Sequence, residues 1–215
     1  DAPYFEGQGF YGYFYNYTVL SDGTMAAGWS TTGIDEQFIT VFTADGQQVS
    51  QFALVEGPFG NSNPIDVTGL PDGNIFVTRV NTSGDFTNRN GIYGSVYAPD
   101  GTLLTPEFKI GEIVIIADYV YQDTVALSDG NLLLLNTGQT DAFARVMTPD
   151  GLFVTEPVRI NLPSENAQAT SSYIGVSGSI PLASIAFELL PNDTLVVTQS
   201  VEASNTTYLA KRSFT

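Results

Sequence analysis

A two-part phrase built around Asp-Gly recurs along this chain and limits the folds that the chain can adopt. In each copy an apolar step leads into one Asp-Gly, a hydrophobic run follows, and a second apolar run ends in another Asp-Gly. The complete copies have these pairs at 22–23 and 45–46, at 72–73 and 100–101, and at 129–130 and 150–151. A worn fourth copy begins at Leu190 and stops at Thr215. Repetition of this kind is typical of supersecondary units that bury their apolar faces against one another.

Each copy is predicted to be a four-stranded antiparallel meander. Its runs are short and rich in Val, Thr, Tyr and Phe, and none keeps a helical apolar period. Asp-Gly between two such runs indicates a hairpin, and we expect a tight primed turn in which glycine supplies the positive φ. The predicted strands are 15–20, 24–30, 38–43 and 47–54, then 65–70, 74–80, 91–98 and 102–110, then 121–127, 131–136, 142–148 and 152–160.

These meanders predict an all-β fold, a small β-propeller of about four four-stranded antiparallel blades. A single domain, residues 1–215, would contain all of them, with the blades at about 14–55, 65–111, 121–161 and 184–215. A β-sandwich or a flat solenoid would also have short strands, but neither explains why both Asp-Gly positions repeat.

The fourth copy lacks its outer strand. It offers strands only at 184–190, 194–199 and 207–214, while residues 1–10 have no blade of their own. Residues 3–6 read Pro-Tyr-Phe-Glu and resemble an outer strand, residues 106–109, Pro-Glu-Phe-Lys. We therefore expect the N-terminal strand to complete the last blade, which removes open sheet edges. Two alternatives stay open: pairing with the next molecule, which gives head-to-tail polymers, and a chain cut from a longer array.

The amino-acid composition limits the classes of partner and the chemistry that are expected for this chain. There are seven basic and 23 acidic residues, a formal net charge of −16, and this charge repels nucleic acid and anionic membrane surfaces, so we expect neither as a partner. Calcium is the cation that such acidity would attract, although no cofactor is required by the pattern. Cysteine and histidine are absent, which removes disulfides and the commonest general base. No apolar stretch approaches the roughly 20 residues of a membrane-spanning helix, and the start at Asp1 suggests a processed or excised chain.

The two ends of the predicted blades differ. The Asp-Gly turns are uniformly short at one end, and the loops at the opposite end vary widely in length. Loop variation confined to one face is typical of the binding face of a repeat protein. Neutral drift is the alternative, because a longer surface loop costs little free energy.

Candidate ligand-binding residues lie on this loop face. An acid follows Gly in three loops, and a lone Trp stands where the second strand reaches this face, with Arg in the equivalent position of the second copy. The seven candidates are Trp29, Asp35, Arg79, Asp85, Asp118, Asp123 and Asp141. The Trp could stack a sugar ring or seal the gap between blades. Each Asp carboxylate could bind a cation, or it could accept backbone N–H bonds of its own loop in an Asx turn.

The loop at 81–91 is the most calcium-like segment, because it has closely spaced oxygen donors and glycines. Its candidate metal ligands are Asp85, Asn88 and Asn90, with Arg89 among them as an argument against a cation. Near the N-terminus eight aromatic residues lie between Tyr4 and Tyr17. We expect most of these rings to pack between the first and last blades.

The repeats resemble the propeller-type repeats of large bacterial secreted and surface proteins, including those found beside hemolysin-type calcium-binding arrays. Residues 127–134 (Leu-Ser-Asp-Gly-Asn-Leu-Leu-Leu), 144–151 and 92–101 carry this resemblance, which covers nearly the whole chain. It implies an extracellular or cell-surface, bacterial-type secreted protein and points to calcium. It transfers no catalytic residue, and the glycine-rich calcium-binding nonapeptide is absent.

The main hypothesis is a non-catalytic extracellular structural or adhesive propeller, able to self-assemble through its N-terminal strand, whose partners are itself or surface glycans and proteins. The first alternative is a lectin-like, glycan-binding propeller that uses Trp29 and the loop carboxylates. The second is a carbohydrate-active enzyme, which without histidine or cysteine would need two carboxylates about 5 to 10 Å apart, drawn from Asp35, Asp85 and Asp141. No specific reaction or ligand follows from the sequence.

Overall fold

The computed structural model describes residues 12–31, 36–54, 65–81, 91–111, 121–137, 142–160, 183–190, 192–201 and 206–213, and this part is all-β. Four antiparallel sheets follow one another as meanders. Sheet 1 contains β1 (Gly12–Val19), β2 (Met25–Thr31), β3 (Gln37–Phe42) and β4 (Gln48–Ala53); sheet 2 contains β5 (Ile65–Gly69), β6 (Ile75–Asn81), β7 (Gly91–Tyr97) and β8 (Leu103–Gly111). Sheet 3 contains β9 (Tyr121–Ala126), β10 (Leu132–Thr137), β11 (Ala142–Met147) and β12 (Val158–Arg159); sheet 4 contains β13 (Ala183–Leu189), β14 (Thr194–Val201) and β15 (Thr206–Ser213). The prediction of an all-β chain is confirmed.

The chain divides into two compact units. Unit 1 contains residues 1–113 together with 149–151, and unit 2 contains residues 114–148 and 152–215. Sheets 1 and 2 belong to unit 1, and sheets 3 and 4 to unit 2. The N-terminal strand predicted at 1–10 lies outside the described residues, so its place in the last sheet stays a prediction.

The hairpin turns differ from the expected type. In the first turn the Gly23 N–H donates to the Leu20 carbonyl at 3.0 Å, and the Leu20 N–H donates to the Thr24 carbonyl at 2.8 Å. Gly23 has a φ of 85°, whereas the preceding Asp22 is not among the described residues with positive φ. This is a three-residue loop in which a left-handed glycine follows an ordinary turn, so the predicted primed turn is wrong. Asp22 stabilises the loop by accepting the Thr24 N–H at 2.9 Å.

Unit 1 has a core between two sheets. Alternate side chains along the strands of sheet 1 point to one face, as the two-residue period of a strand requires. This face packs against a face of sheet 2 that is built in the same way. The buried members are Leu20, Ala26, Ile39, Val41, Leu54, Val67, Ile75, Val77 and Tyr97, with Tyr15 and Phe52 against them. Burial of these apolar side chains stabilises the interface between sheets 1 and 2.

Unit 2 is built in the same way, and its clearest contact joins the tips of two sheets. Leu195 of sheet 4 packs into the apolar cluster of sheet 3, which includes Leu133 and Val146. At the adjoining turns, the Asp193 carboxylate accepts hydrogen bonds from the N–H and the hydroxyl of Ser128. Asp193 stands where the other copies have glycine, with a φ of 56°. Aspartate tolerates this left-handed backbone, and its bonds to Ser128 compensate for the lost glycine.

The last strand of sheet 3 is much shorter than the predicted 152–160. It is paired only at Val158–Arg159, with an isolated bridge between Met147 and Phe153. The reason is a side chain: the Thr155 hydroxyl accepts the Val146 N–H at 3.0 Å, in the place of a backbone carbonyl. Arg145 Nε donates a hydrogen bond to the Thr155 carbonyl at 2.8 Å, which stabilises the irregular backbone before β12.

The aromatic segment before the first turn is more open than expected. Phe14 and Tyr17 are 43% and 60% exposed, and their ring centroids lie 6.3 Å apart. These two rings are thus exceptions to the expectation that most of the eight are packed away, whereas Tyr15 does contact the core. The other five side chains lie outside the described residues, so for them the expectation stays a prediction. Within the described residues, no helix is long and apolar enough to cross a membrane.

Candidate functional site

Three of the seven predicted site residues lie in the part of the chain that the structure describes. They are Trp29 on β2, Arg79 on β6 and Asp123 on β9. The other candidates, including all three proposed metal ligands, lie outside the described residues: Asp35, Asp85, Asn88, Asn90, Asp118 and Asp141. Their grouping on the loop face stays a prediction.

Trp29 is part of a side-chain stack within sheet 1. Its indole lies 4.7 Å from the Phe38 ring at an interplanar angle of 20°, because the two residues are directly opposite on β2 and β3. The indole N–H donates to the Thr40 hydroxyl at 2.8 Å, and that hydroxyl lies 3.4 Å from Gln51 Oε1. Both the ring face and the polar handle of Trp29 are thus engaged inside the sheet, as is typical of a structural tryptophan.

Arg79 is engaged in an ion pair within sheet 2. Its guanidinium contacts the Glu107 carboxylate of β8, and the two side chains are 15% and 23% exposed. Burial lowers the pKa of Arg79, and Tyr97 opposes this electrostatically. Because side chains two residues apart share a strand face, Arg79 lies on the face of Val77, which packs on sheet 1. A ligand anion at Arg79 would have to compete with Glu107.

Asp123 lies inside a strand rather than in a loop. It is opposite Leu135 on β10, half-buried, and its carboxylate accepts the N–H of Thr124 at 2.9 Å. Trp29 and Arg79 occupy equivalent positions in their sheets, six residues after Gly23 and Gly73. The structure therefore gives these three residues strand positions with local partners.

The first strands of sheets 1 and 2 carry polar contacts that the sequence analysis missed. Asn16 Nδ2 donates to Asp66 Oδ1, and the Gly69 N–H donates to the Thr18 hydroxyl at 3.0 Å. A register signal was available, since Asn16 and Asp66 each stand four residues before the leucine of their turn, as Asp123 does in the third copy. These hydrogen bonds fix the position of β1 relative to β5. The contact between the first strands of the two sheets is therefore partly polar.

The turn carboxylates are acceptors for their own loops. Hydrogen bonds from the Thr24 hydroxyl and N–H lower the pKa of Asp22 below its ordinary value of 3.8. The Thr43 hydroxyl does the same for the pKa of Asp45, and the Thr102 N–H for that of Asp100. In the described ranges no group of three or more acidic, histidine or cysteine side chains is arranged to hold a metal ion.

No family model and no curated protein matches the sequence. A solved structure from work on two prolyl endopeptidases is similar, with 13% identity and a TM-score of 0.51, and the match covers 94% of this chain and 27% of that chain. Prolyl oligopeptidase B from Galerina marginata has 10% identity and a TM-score of 0.49, over 93% of this chain and 27% of that chain. A luciferin-regenerating enzyme has 14% identity and a TM-score of 0.48, over 94% and 61%.

This chain thus spans about a quarter of the length of the two prolyl peptidases that it resembles. At these identities the likeness shows the fold alone. Their catalytic activity belongs to those proteins, and nothing in the comparison shows that this chain is an enzyme.

Proposed function

We propose that this chain is a four-bladed β-propeller that acts outside the cell as a non-catalytic structural or adhesive module. One observation carries the proposal. Three of the described sheets have four strands, whereas sheet 4 has only three and ends at β15. In the described residues the edge of β15 has no strand beside it, and residues 1–10 are the segment proposed to pair there.

Packing within each unit supports the radial arrangement. Sheet 1 buries one face on sheet 2 in unit 1, and in unit 2 sheet 4 inserts Leu195 into the apolar cluster of sheet 3. The likeness to part of a prolyl endopeptidase also supports it, because such enzymes contain a β-propeller domain. Stacked blades are the arrangement in which short meanders of this kind bury both faces.

The missing strand gives the module its proposed means of assembly. The N-terminal segment pairs with the open edge of β15, in the same molecule or in the next copy. Pairing within one molecule closes the ring, and pairing between copies makes a head-to-tail polymer. The proposed partners are therefore the chain itself and surface glycans or proteins.

A non-catalytic role is supported by what the candidate residues do. Trp29 is bonded to Thr40, Arg79 to Glu107, and Asp123 to its neighbouring N–H. Side chains committed to such contacts stabilise a scaffold. The extracellular setting is supported by the sequence resemblance alone. No cofactor is required for this role, and calcium is the candidate cation.

The test compares the full chain with a chain that lacks residues 1–10. Loss of the N-terminal strand is expected to lower the melting temperature, because β15 then keeps an unpaired edge, and to change particle size if the pairing is between copies. Circular dichroism gives the melting curve, and light scattering gives the mass. An unchanged melting curve together with an unchanged mass would contradict the proposal.

A second candidate, glycan binding, is favoured by the exposed pair Phe14 and Tyr17. Exposed rings about 6.3 Å apart offer a stacking surface for a sugar, and Tyr17 adds a hydroxyl. Tyr17→Ala is expected to abolish sugar binding with little change in stability, since the ring is 60% exposed. A glycan array without any signal, with and without calcium, would exclude this candidate.

A further inference from the structure

Unit 1 contains the same contact twice: a phenylalanine of a fourth strand lies against the glycine of a second Asp-Gly turn. A Cβ placed on Gly101 would lie 2.8 Å from Phe52, and one on Gly151 would lie 2.6 Å from Phe108. Both glycines have a φ above 90°. The missing side chain therefore serves two purposes, because it allows the turn and makes room for the ring.

The first contact has further parts that define it as a docking site. The Phe52 ring also packs on Tyr97, with centroids 5.4 Å apart, and Tyr97 is only 2% exposed. Next to it, the Ser50 hydroxyl donates to the Pro99 carbonyl in the same turn at 2.5 Å. Sheet 2 thus receives the outer strand of sheet 1 through a glycine, an aromatic ring and a turn carbonyl.

Sheet 1 has an equivalent turn, with an aromatic residue at the same place before it. Gly46 is the equivalent glycine, with a φ of 86°, and no described atom lies within 4 Å of a Cβ placed there. Phe42 stands where sheet 2 has Tyr97, yet it is half-buried rather than buried. We call the surface formed by Phe42 and the turn at 43–46 the Gly46 slot.

We propose that the ring of Phe5, from the N-terminal segment of the same chain, occupies the Gly46 slot. Residues 3–5 read Pro-Tyr-Phe, and the segment that places Phe108 against Gly151 reads Pro-Glu-Phe at 106–108. Phe52 precedes its glycine by 49 residues and Phe108 by 43, and Phe5 precedes Gly46 by 41. This similar separation identifies residues 3–5 as the segment that fits the slot; its supply by the same chain is the proposal, and its supply by a second copy is an outcome that the test distinguishes.

The inference rests on the proposed function, because it requires residues 1–10 to act as an outer strand. It adds the surface that receives this strand and the side chain that anchors it. With Phe5 in place, a methyl group at Gly46 would meet the ring as one at Gly101 would meet Phe52. Without Phe5, the methyl group would meet no described atom.

The full-length chain offers a matched control for this difference. Gly23 has a φ of 85°, also with no described atom within 4 Å of a Cβ placed there, so Gly23→Ala measures the backbone cost alone. Gly46→Ala is expected to lower the melting temperature by about 2 to 4 °C more than Gly23→Ala does. In a Phe5→Ala background this excess should disappear. Phe5→Leu, which keeps an apolar anchor, replaces Phe5→Ala if the latter does not fold, and the excess should then shrink.

The measurement is made on monomers isolated by size-exclusion chromatography at low concentration. Tyr4→Ala is the control for Phe5→Ala, because adjacent side chains on a strand point to opposite faces, and it should leave the excess unchanged. Equal effects of Gly46→Ala and Gly23→Ala would overturn the inference, as would an excess that survives Phe5→Ala or appears only in oligomers. If deletion of residues 1–10 still lowers the melting temperature in that case, the N-terminal pairing stands and only the slot is wrong.

Discussion

Single residues in this protein take positions that the repeat would assign to another type, and Asp193 is the clearest of them. The repeat calls for glycine at this place, and glycine accepts the left-handed backbone without steric cost. Asp193 has the same backbone region, at a φ of 56°, and is 6% exposed. Its carboxylate accepts hydrogen bonds from the N–H and the hydroxyl of Ser128 in the neighbouring sheet. The backbone of this turn is less favourable for Asp than for Gly, but Asp adds a contact between the two sheets.

Replacing Asp193 separates these two contributions. Asp193→Ala should lower the free energy of unfolding by about 2 to 3 kcal/mol, because the left-handed backbone stays and the Ser128 N–H loses its charged acceptor. Asp193→Gly should cost about 1 kcal/mol less, since glycine relieves the backbone. Urea unfolding measures both values. Equal stability of the two variants and the parent would contradict the contact.

Thr24→Val tests the turn carboxylate at the same scale. The Thr24 hydroxyl is the main cause of the lowered pKa of Asp22, and a lowered pKa in the folded state gives stability that is present above the unfolded value and lost as the pH falls through the folded value. The stability difference between parent and Thr24→Val should therefore be constant above about pH 5 and decrease below about pH 4. Urea midpoints from pH 7 to pH 2 measure it, with Thr24→Ser as the control that keeps the hydroxyl. A difference that stays constant down to pH 2 would exclude this role.

Among the elements, β12 shows how one side chain delays the start of a strand, since pairing begins only at Val158, after Thr155. Thr155 provides the acceptor for the Val146 N–H, and Val146 belongs to the core of unit 2. The fourth strand of sheet 3 is therefore held by a hydroxyl and a guanidinium as much as by backbone pairing.

Thr155→Val should destabilise the protein by about 1 to 2 kcal/mol, because it leaves the Val146 N–H without its acceptor while keeping the shape of the side chain. Thr155→Ser keeps the hydroxyl and should cost much less. Thermal or urea unfolding of the two variants provides the comparison. Similar losses for Val and Ser would show that packing, and not the hydrogen bond, holds this segment.

Predictability also differs from element to element. The strands of sheets 1 and 2 follow from alternation and Asp-Gly spacing, because both signals are local. The turn type does not follow, since the primed turn and the observed loop both use glycine and differ in the φ of the preceding Asp22. The shortness of β12 depends on a bond from Thr155, which no period encodes.

The candidate site was predictable only in part for a similar reason. The sequence places Trp29 and Arg79 at the ends of second strands, but it does not show that Thr40 and Glu107 engage them. The pairing of Asn16 with Asp66 depends on the register between two sheets, which the sequence of either strand leaves open.

At the scale of the whole molecule, charge is the dominant property. Twenty-three acidic and seven basic residues give a net charge of −16, and self-repulsion of this size destabilises a compact state. Raising sodium chloride from about 0.02 to about 0.5 M shortens the screening length to a few ångströms, so the melting temperature should rise. The chelator EDTA is expected to leave it unchanged if, as we propose, the fold needs no calcium. Calorimetry at matched ionic strength measures both effects, and a melting temperature that does not respond to salt would contradict the first.

The tip contacts have a consequence for how a chain of this kind can change in length. Ser128 meets Asp193 in unit 2, and in unit 1 a Cβ on Gly73, at the position equivalent to Asp193, would lie 3.2 Å from Ser21, which is equivalent to Ser128. A genetic duplication or deletion that removed one sheet would separate a serine from its counterpart. A duplication or deletion of two neighbouring sheets together would keep these turn contacts. We therefore expect proteins of this architecture to gain or lose sheets in pairs.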